Sequence, residues 1–395
     1  MFERLKKRQE EILALGIPGN DLSVYYNGEE VYRHRAGFSE KETKTPMNGK
    51  ERYNAYSCSK PVTCAAALQL IEKGKLSLET KLFDIFPEFK HIGVWKKAGD
   101  KAEVREAENP ITIEHLFTMT AGFSYNLGCA PLERAKKETR GLCPTVQTVK
   151  YLAEEPLLFE PGKRWEYSLC HDVLAAVVEA VSGERFSEYV KRHIFDPLGM
   201  ENSSFCVNDK KGIESKCAQY LGDNATPNVK NCGKEIMWYK LGSEYESGGA
   251  GLVTSVDDYI KFAEALRTGD KILKKETVAA MTTDRLTPAQ DRSFWMGQHN
   301  GYGYGLGVRC KKSKSLCESA AQAEKTLAEI TEVSAAKADG EMPSDFGWGG
   351  AAGSFLGINI EKKISFFYAQ HVLASLAQQV RSELYKIAEE EISGR

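Results

Sequence analysis

The 395-residue sequence lacks an excess of either charge: 53 lysines and arginines stand against 55 aspartates and glutamates. So balanced a chain gives no electrostatic support for binding nucleic acid or an anionic membrane surface. Long hydrophobic runs are missing too. The opening MFERLKKRQEEILALGIPGN is charged and amphipathic, without the unbroken apolar core of a signal peptide. No later segment approaches the ~20 apolar residues of a membrane span. The ten cysteines include no Cys-x-x-Cys pair and no cysteine–histidine cluster. Several, such as Cys64 and Cys170, lie in apolar helical runs, which suits reduced thiols in a cytoplasmic protein better than a disulfide framework. Two glycosylation triplets, at Asn202 and Asn224, carry little weight without a secretory signal. The seven histidines show no metal-ligand spacing, so neither a metal nor a cofactor is expected. Also absent are a Gly-x-Ser-x-Gly elbow, a His-Glu-x-x-His zinc motif and a Gly-x-x-x-x-Gly-Lys phosphate loop, and nothing points to a Ser-His-Asp triad.

What is present reads as a globular protein, with 42% hydrophobic and 27% charged residues. Its length exceeds what one compact core holds, so two lobes are expected. Residues 1–16 have helical spacing and stop at Gly16 and Pro18. LSVYYNGEEVYRHRAG gives two strands joined at Asn27-Gly28, a hairpin signal. From Ser57 to about residue 290 the pattern is mainly helical. HDVLAAVVEAVSG and SVDDYIKFAEALRTG both end at glycine, and the second opens on a Ser255–Asp258 capping box. YGYGLGVRC, GSFLGINI and KISFFYAQ read as three strands, followed by a helix from about Leu373 to Ile392. With strands at both ends and helices between, the expectation is an α+β fold, an antiparallel sheet flanked by N- and C-terminal helices. Residues 1–60 and 296–395 would build that lobe, with 61–295 inserted as a helical lobe. The stretch 311–345, rich in Ala, Glu and Lys, reads as a helical insertion or a solvated surface helix.

AYSCSKPVTCAAALQLIEKG, from Ala55 to Gly74, sets a serine and a lysine at the mouth of an apolar helix. Ser57 and Lys60, three residues apart, share a helix face. A serine hydroxyl is a poor nucleophile until a neighbour takes its proton. A lysine can do so when neutral, a form favoured by burial or nearby positive charge. The positive end of the helix dipole also favours negative charge developing on the serine. The bland alternative is a serine cap with a solvated lysine. Ser-x-x-Lys alone is a weak signal, since Ser334 and Lys337 repeat it. Two later stretches add to it: Glu160-Pro161-Gly162-Lys163-Arg164-Trp165-Glu166-Tyr167-Ser168-Leu169, just before a long apolar helix, and the glycine-rich Trp348-Gly349-Gly350-Ala351.

Ser-x-x-Lys, then Tyr-Ser-x, then Trp-Gly-Gly, in that order, resembles the serine β-lactamase and penicillin-binding-protein superfamily. The nearest likeness is to class C β-lactamases and family VIII carboxylesterases. TIEHLFTMTAG from Thr112, IFDPLGM from Ile194 and GGAGL from Gly248 extend the resemblance over nearly the whole chain. It implies Ser57 as acylated nucleophile, Lys60 as its base and Tyr167 as a partner in the proton shuttle. It also implies an oxyanion hole from the backbone amides of Ser57 and Ala351, and substrate-facing positions at Leu169, Trp348, Gly349 and Gly350. Two departures matter. Leu169 stands where the lactamase pattern has asparagine, and Trp348 where Lys-Thr-Gly has lysine. A tryptophan cannot hold a carboxylate, and the two changes would widen the apolar surface open to an acyl or alcohol group, so the expectation is a carboxylesterase on short or medium acyl esters, its partner a small-molecule ester or amide. The alternatives are a β-lactamase, a D-amino-acid peptidase or amidase, an acyltransferase, or a catalytically weak scaffold. Oligomeric state has no signal in the sequence.

Overall fold

The computed structural model describes residues 2–98, 101–205, 216–234, 239–294, 301–312, 345–378 and 380–394. The expected insertion helix and the Ser334/Lys337 pair therefore lie outside the described residues.

Helix α1 (Glu3–Glu11) runs into a 3-10 turn and ends at Gly16, which takes φ +86°. Strands β1 (Gly19–Tyr26) and β2 (Glu29–Glu40) form the expected hairpin. Its two turn residues, Asn27 and Gly28, both have positive φ, as the tight two-residue turn requires. Beyond them come β3 (Thr45–Pro46), β4 (Tyr302–Tyr304), β5 (Arg309–Lys311), β6 (Asp345–Gly349), β7 (Phe355–Asn359) and β8 (Ile364–Gln370). They form one eight-stranded sheet in the order β4-β5-β6-β7-β8-β1-β2-β3, every pairing antiparallel. The two ends of the chain meet in its middle, where Asn20 to Tyr26 pair with Gln370 to Ile364.

Period-two alternation assigns the sheet's faces. Ile364, Phe366 and Tyr368 join Leu22 and Val24 in a core with Leu5 and Ile12 near α1 and Leu384 and Ala388 of the C-terminal helix, α5 (Val380–Ser393). Leu356, Ile358, Phe367 and Ala369 face the opposite, larger core. There α4 (Val256–Thr268) lies on the sheet, with Tyr259 stacked on Phe367 at 4.1 Å. Behind it pack α2 (Ser59–Glu72), buried from Ser59 to Ile71, and α3 (Cys170–Ser182). A helix hidden all round needs partners all round, which explains why its sequence is apolar on every face.

Four details differ from the sequence expectation. YGYGLGVRC is two strands, because the chain reverses through Gly305 and Gly307, the latter at φ +89°. The last helix starts at Val380; Val372–Leu373 instead pairs in parallel with Tyr220–Leu221, and Ala374 leaves that strand at φ +51°. Ser255 caps α4 by accepting from the Asp258 amide at 3.2 Å. Asp258 does not complete the box; its carboxylate accepts from the Asn202 amide at 2.6 Å and from Ser203 at 3.0 Å. Finally, α2 begins at Ser59, two residues after Ser57.

Candidate active site

Ser57 sits in a 3-10 turn, Tyr56–Cys58, just ahead of α2. Tyr56 takes φ +46°, a left-handed conformation that bulky residues rarely adopt. Its surroundings hold it there. The Tyr56 hydroxyl donates to Gln219 at 2.5 Å, and Ser59 donates to the Tyr56 carbonyl at 2.6 Å. The Tyr259 hydroxyl donates to the Cys58 carbonyl at 2.6 Å. The turn is thus fixed from below while Ser57 keeps partial exposure.

Lys60 lies fully buried one helical turn on. Its Nζ donates to the Gly249 carbonyl at 2.7 Å and to Ser57 Oγ at 3.3 Å. The hydroxyls of Ser57 and Tyr167 share a short hydrogen bond. Lys60 Nζ also stands 4.6 Å from the centre of the Tyr167 ring. Two groups able to pass a proton, the Lys60 amine and the Tyr167 hydroxyl, therefore converge on Ser57 Oγ. Tyr167 is oriented by near-parallel rings: Tyr125 at 5.4 Å and 5°, Trp348 at 6.2 Å and 17°.

A buried pair lies beneath Lys60. Asp172 accepts from Ser247 at 2.6 Å and from Tyr245 at 3.0 Å. Burial pushes its carboxyl above the usual range, while those hydrogen bonds and the Lys60 charge pull the other way. A Cβ on Gly249 would fall 2.5 Å from Asp172 Oδ2, so glycine there leaves the carboxylate its place, while Lys60 Nζ would stay at ordinary contact distance, 3.5 Å. His171 is lowered to about 3 by burial and by Lys60, which keeps the ring neutral at ordinary pH. Cys58, next to Ser57 in sequence, is wholly buried, and burial pushes its thiol up to about 11. Every cysteine among the described residues is a free thiol.

Strand β6 delivers Trp348-Gly349 and then Gly350-Ala351 alongside the Ser57 turn. Ser354 donates to the Ala55 carbonyl at 2.9 Å, and a Cβ on Gly350 would fall 2.2 Å from that same oxygen. Ala351 follows one residue later, partly exposed like Ser57.

The sequence-derived residues Ser57, Lys60, Tyr167, Trp348, Gly349, Gly350 and Ala351 are therefore brought together. Leu169 and Trp348 do not form exposed apolar wall, since each is only 2% exposed. Leu169 is the N-cap of α3 and turns its side chain into the core, because its carbonyl accepts the Asp172 and Val173 amides at 3.0 Å. Trp348 packs flat on Tyr167 and edge-on to Tyr304 at 5.2 Å. Sequence reasoning missed Tyr125, Asp172 and Gly249. Asp172 had a signal, as the one acidic residue in the early, fully buried turns of α3. Gly249 lay in GGAGL, which carried the resemblance but no site role, and Tyr125 had no signal, being joined to the site only by folding.

The site thus sets a serine just ahead of a helix, backed by a buried lysine and a tyrosine and flanked by an inner strand of the sheet. The family model described as beta-lactamase matches residues 5–385, and the chain belongs to that family of β-lactamase-fold serine hydrolases. It is similar to esterase EstB of Burkholderia gladioli, 28% identical over 78% of this chain and 77% of the relative. It is also similar to acyltransferase calJ of Penicillium decumbens, 27% identical over 88% and 82%. Among solved structures it resembles EstCE1, described as a hydrolase with promiscuous acyltransferase activity, at TM-score 0.73 and 25% identity over 97% and 98%. Among the described residues no helix is long and apolar enough to cross a membrane, and no group of three or more His, Cys, Asp or Glu could hold a metal ion.

Proposed function

We propose that the protein is a carboxylesterase acting on short or medium acyl esters through an acyl-enzyme on Ser57. The observation that carries this reading is the convergence of Lys60 Nζ, at 3.3 Å, and the Tyr167 hydroxyl on Ser57 Oγ. In the reaction, Lys60 and Tyr167 take the Ser57 proton as Oγ attacks the ester carbonyl. The Ser57 and Ala351 amides receive the charge on the acyl oxygen. The alcohol leaves with the shuttled proton. Water, deprotonated by the same pair, then attacks the acyl-enzyme and frees the acid and Ser57. A lactam needs the same machinery and, in addition, a partner for its carboxylate, because burying an unpaired charge is costly. Trp348 supplies none. Esters should therefore exceed lactams by at least ~100-fold in catalytic efficiency, or about 2.7 kcal/mol.

The test compares p-nitrophenyl acetate and butyrate with nitrocefin and penicillin on one preparation, with Ser57→Ala as blank. A fluorophosphonate probe reports the nucleophile. Turnover in Ser57→Ala overturns the mechanism, and equal efficiency on nitrocefin replaces the esterase with a lactamase. A probe that leaves Ser57 unlabelled favours a scaffold. The likeness to calJ supports a second reading, transfer of the acyl group to an alcohol, which an added alcohol acceptor would reveal as a new ester.

A further inference from the structure

We propose that Arg381 positions and polarises the Gly350–Ala351 peptide, and through it sets the aim and strength of the Ala351 amide as a donor to the acyl oxygen. The proposal rests on the reading of Ala351 as an oxyanion donor. Arg381 enters from the first turn of α5, some thirty residues further along the chain. Its Nη1 donates to the Gly350 carbonyl at 2.7 Å and to the Ser354 carbonyl at 3.3 Å. Those carbonyls belong to the turn that ends the site strand: the Gly350 amide donates to Ser354 O at 2.8 Å, and the Gly353 amide to Gly350 O at 3.0 Å.

The Gly350 carbonyl and the Ala351 N–H are two ends of one planar peptide unit. No peptide bond among the described residues is cis, so in this unit they point in opposite directions. A guanidinium on the oxygen side fixes that plane and turns the N–H away from α5. A charged donor also draws electrons from the carbonyl oxygen, and hydrogen bonds in series strengthen one another. The positive charge is thereby relayed to the amide without approaching the substrate. Gly349 makes room for this, because a Cβ there would lie 2.9 Å from the Arg381 guanidinium carbon. Arg381 forms no ion pair among the described residues; its charge is directed at main-chain dipoles. With Nη1 committed to two carbonyls, it is a positioning residue rather than a seat for a substrate carboxylate.

The test uses full-length Arg381→Lys, Arg381→Gln and Arg381→Leu. Each is assayed for hydrolysis of p-nitrophenyl butyrate and for affinity toward an alkylboronic acid, which becomes a tetrahedral anion on the serine. Lys keeps the charge, Gln keeps only a neutral donor, and Leu keeps neither. The expected order in kcat and in boronate affinity is wild type, Lys, Gln, Leu, with Gln at least ~10-fold below wild type and KM changed less than ~3-fold. The acyl-enzyme carbonyl stretch should rise in Gln, since a weaker donor polarises it less; a purely structural tie between α5 and the sheet would not grade it with charge. If Leu fails to fold, Gln and Lys carry the test. Wild-type boronate affinity and carbonyl stretch in Gln overturn the proposal. Ser57→Ala, run alongside, separates the two ideas. Hydrolysis by Ser57→Ala sinks the underlying reading, whereas an inactive Ser57→Ala beside an unaffected Arg381→Gln sinks only the role of Arg381.

Discussion

Gly350→Ala adds one methyl group where the site strand crosses the Ser57 turn. The new Cβ would fall 2.2 Å from the Ala55 carbonyl and 2.1 Å from Ser354 Oγ. Ordinary contact begins about 1 Å further out. Ser354 Oγ can rotate away, but the Ala55 carbonyl is main chain two residues before Ser57, and the Ala55 amide is itself bonded to the Leu252 carbonyl at 2.8 Å. Relief must therefore come from separating the strand and the turn, which carry the two proposed oxyanion amides. A displacement of about 1 Å costs on the order of 100-fold, and complete loss of one donor about 100- to 1,000-fold, or ~3–4 kcal/mol. The expectation is a fall in kcat of that size for p-nitrophenyl butyrate, matched by slower fluorophosphonate labelling of Ser57. Thermal melting would establish that the variant is folded. Gly349→Ala provides the contrast, because its Cβ meets the far end of Arg381 at 2.9–3.0 Å and a side chain gives way more easily than a backbone. Its loss should be smaller. A folded Gly350→Ala within about threefold of wild type would refute the placement of the oxyanion strand.

Other expectations follow from the same geometry. Lys60→Arg should be nearly inactive, since guanidinium stays protonated at working pH and cannot take the serine proton; comparable turnover removes Lys60 as base. Cys58→Ala should keep most activity, and alkylation of the native enzyme should leave Cys58 unmodified, because the thiol is buried and pushed up to about 11; an inactive Cys58→Ala, read against its melting temperature, would reopen the choice of nucleophile. His371, whose Nδ1–H donates to the Cys217 carbonyl at 2.9 Å, is held neutral by burial and lowered to about 4 from 6.5. The unfolded chain binds that proton more readily, so the stability His371 contributes is whole above pH 6.5 and lost as pH falls toward 4, by about 3 kcal/mol. Urea titrations at pH 7 and pH 4 should show a smaller acid loss in His371→Gln than in wild type, and equal losses would contradict the assignment.

The sequence carried those parts of the fold whose signals are local. Asn27-Gly28 marked a hairpin because positive φ at both positions suits asparagine and glycine. Gly183 and Gly269 marked the ends of α3 and α4, each taking φ above +60°. Ser57 and Lys60 were legible because helical spacing puts them on one face. Non-local features were not. Splitting YGYGLGVRC depends on pairing Tyr302 with Lys311, and residues 372–373 became strand only by lying beside Tyr220. Arg381 reads as an ordinary helical cation until the fold sets it against Gly350, because nothing in VRSELYKIAEEEIS distinguishes it from an exposed arginine.

At Trp348 the fold removes one of the two physical reasons behind the proposed substrate preference. A tryptophan in place of lysine suggested both a lost charge and a wider apolar wall. At 2% exposure, lying flat against Tyr167 with Tyr304 at its edge, the indole is not a wall. Only the lost charge still bears on substrate choice. The ring acts instead on Tyr167, whose hydroxyl bonds Ser57 while its ring rests between aromatic neighbours and Lys60 Nζ. Restoring lysine at 348 would accordingly do two opposed things. It would offer a cation to a lactam carboxylate, and it would remove the stacking that orients Tyr167. Esterase activity should fall before any lactamase activity rises, because a proton shuttle tolerates misplacement poorly and an added charge confers binding only where the remaining groups are still aligned.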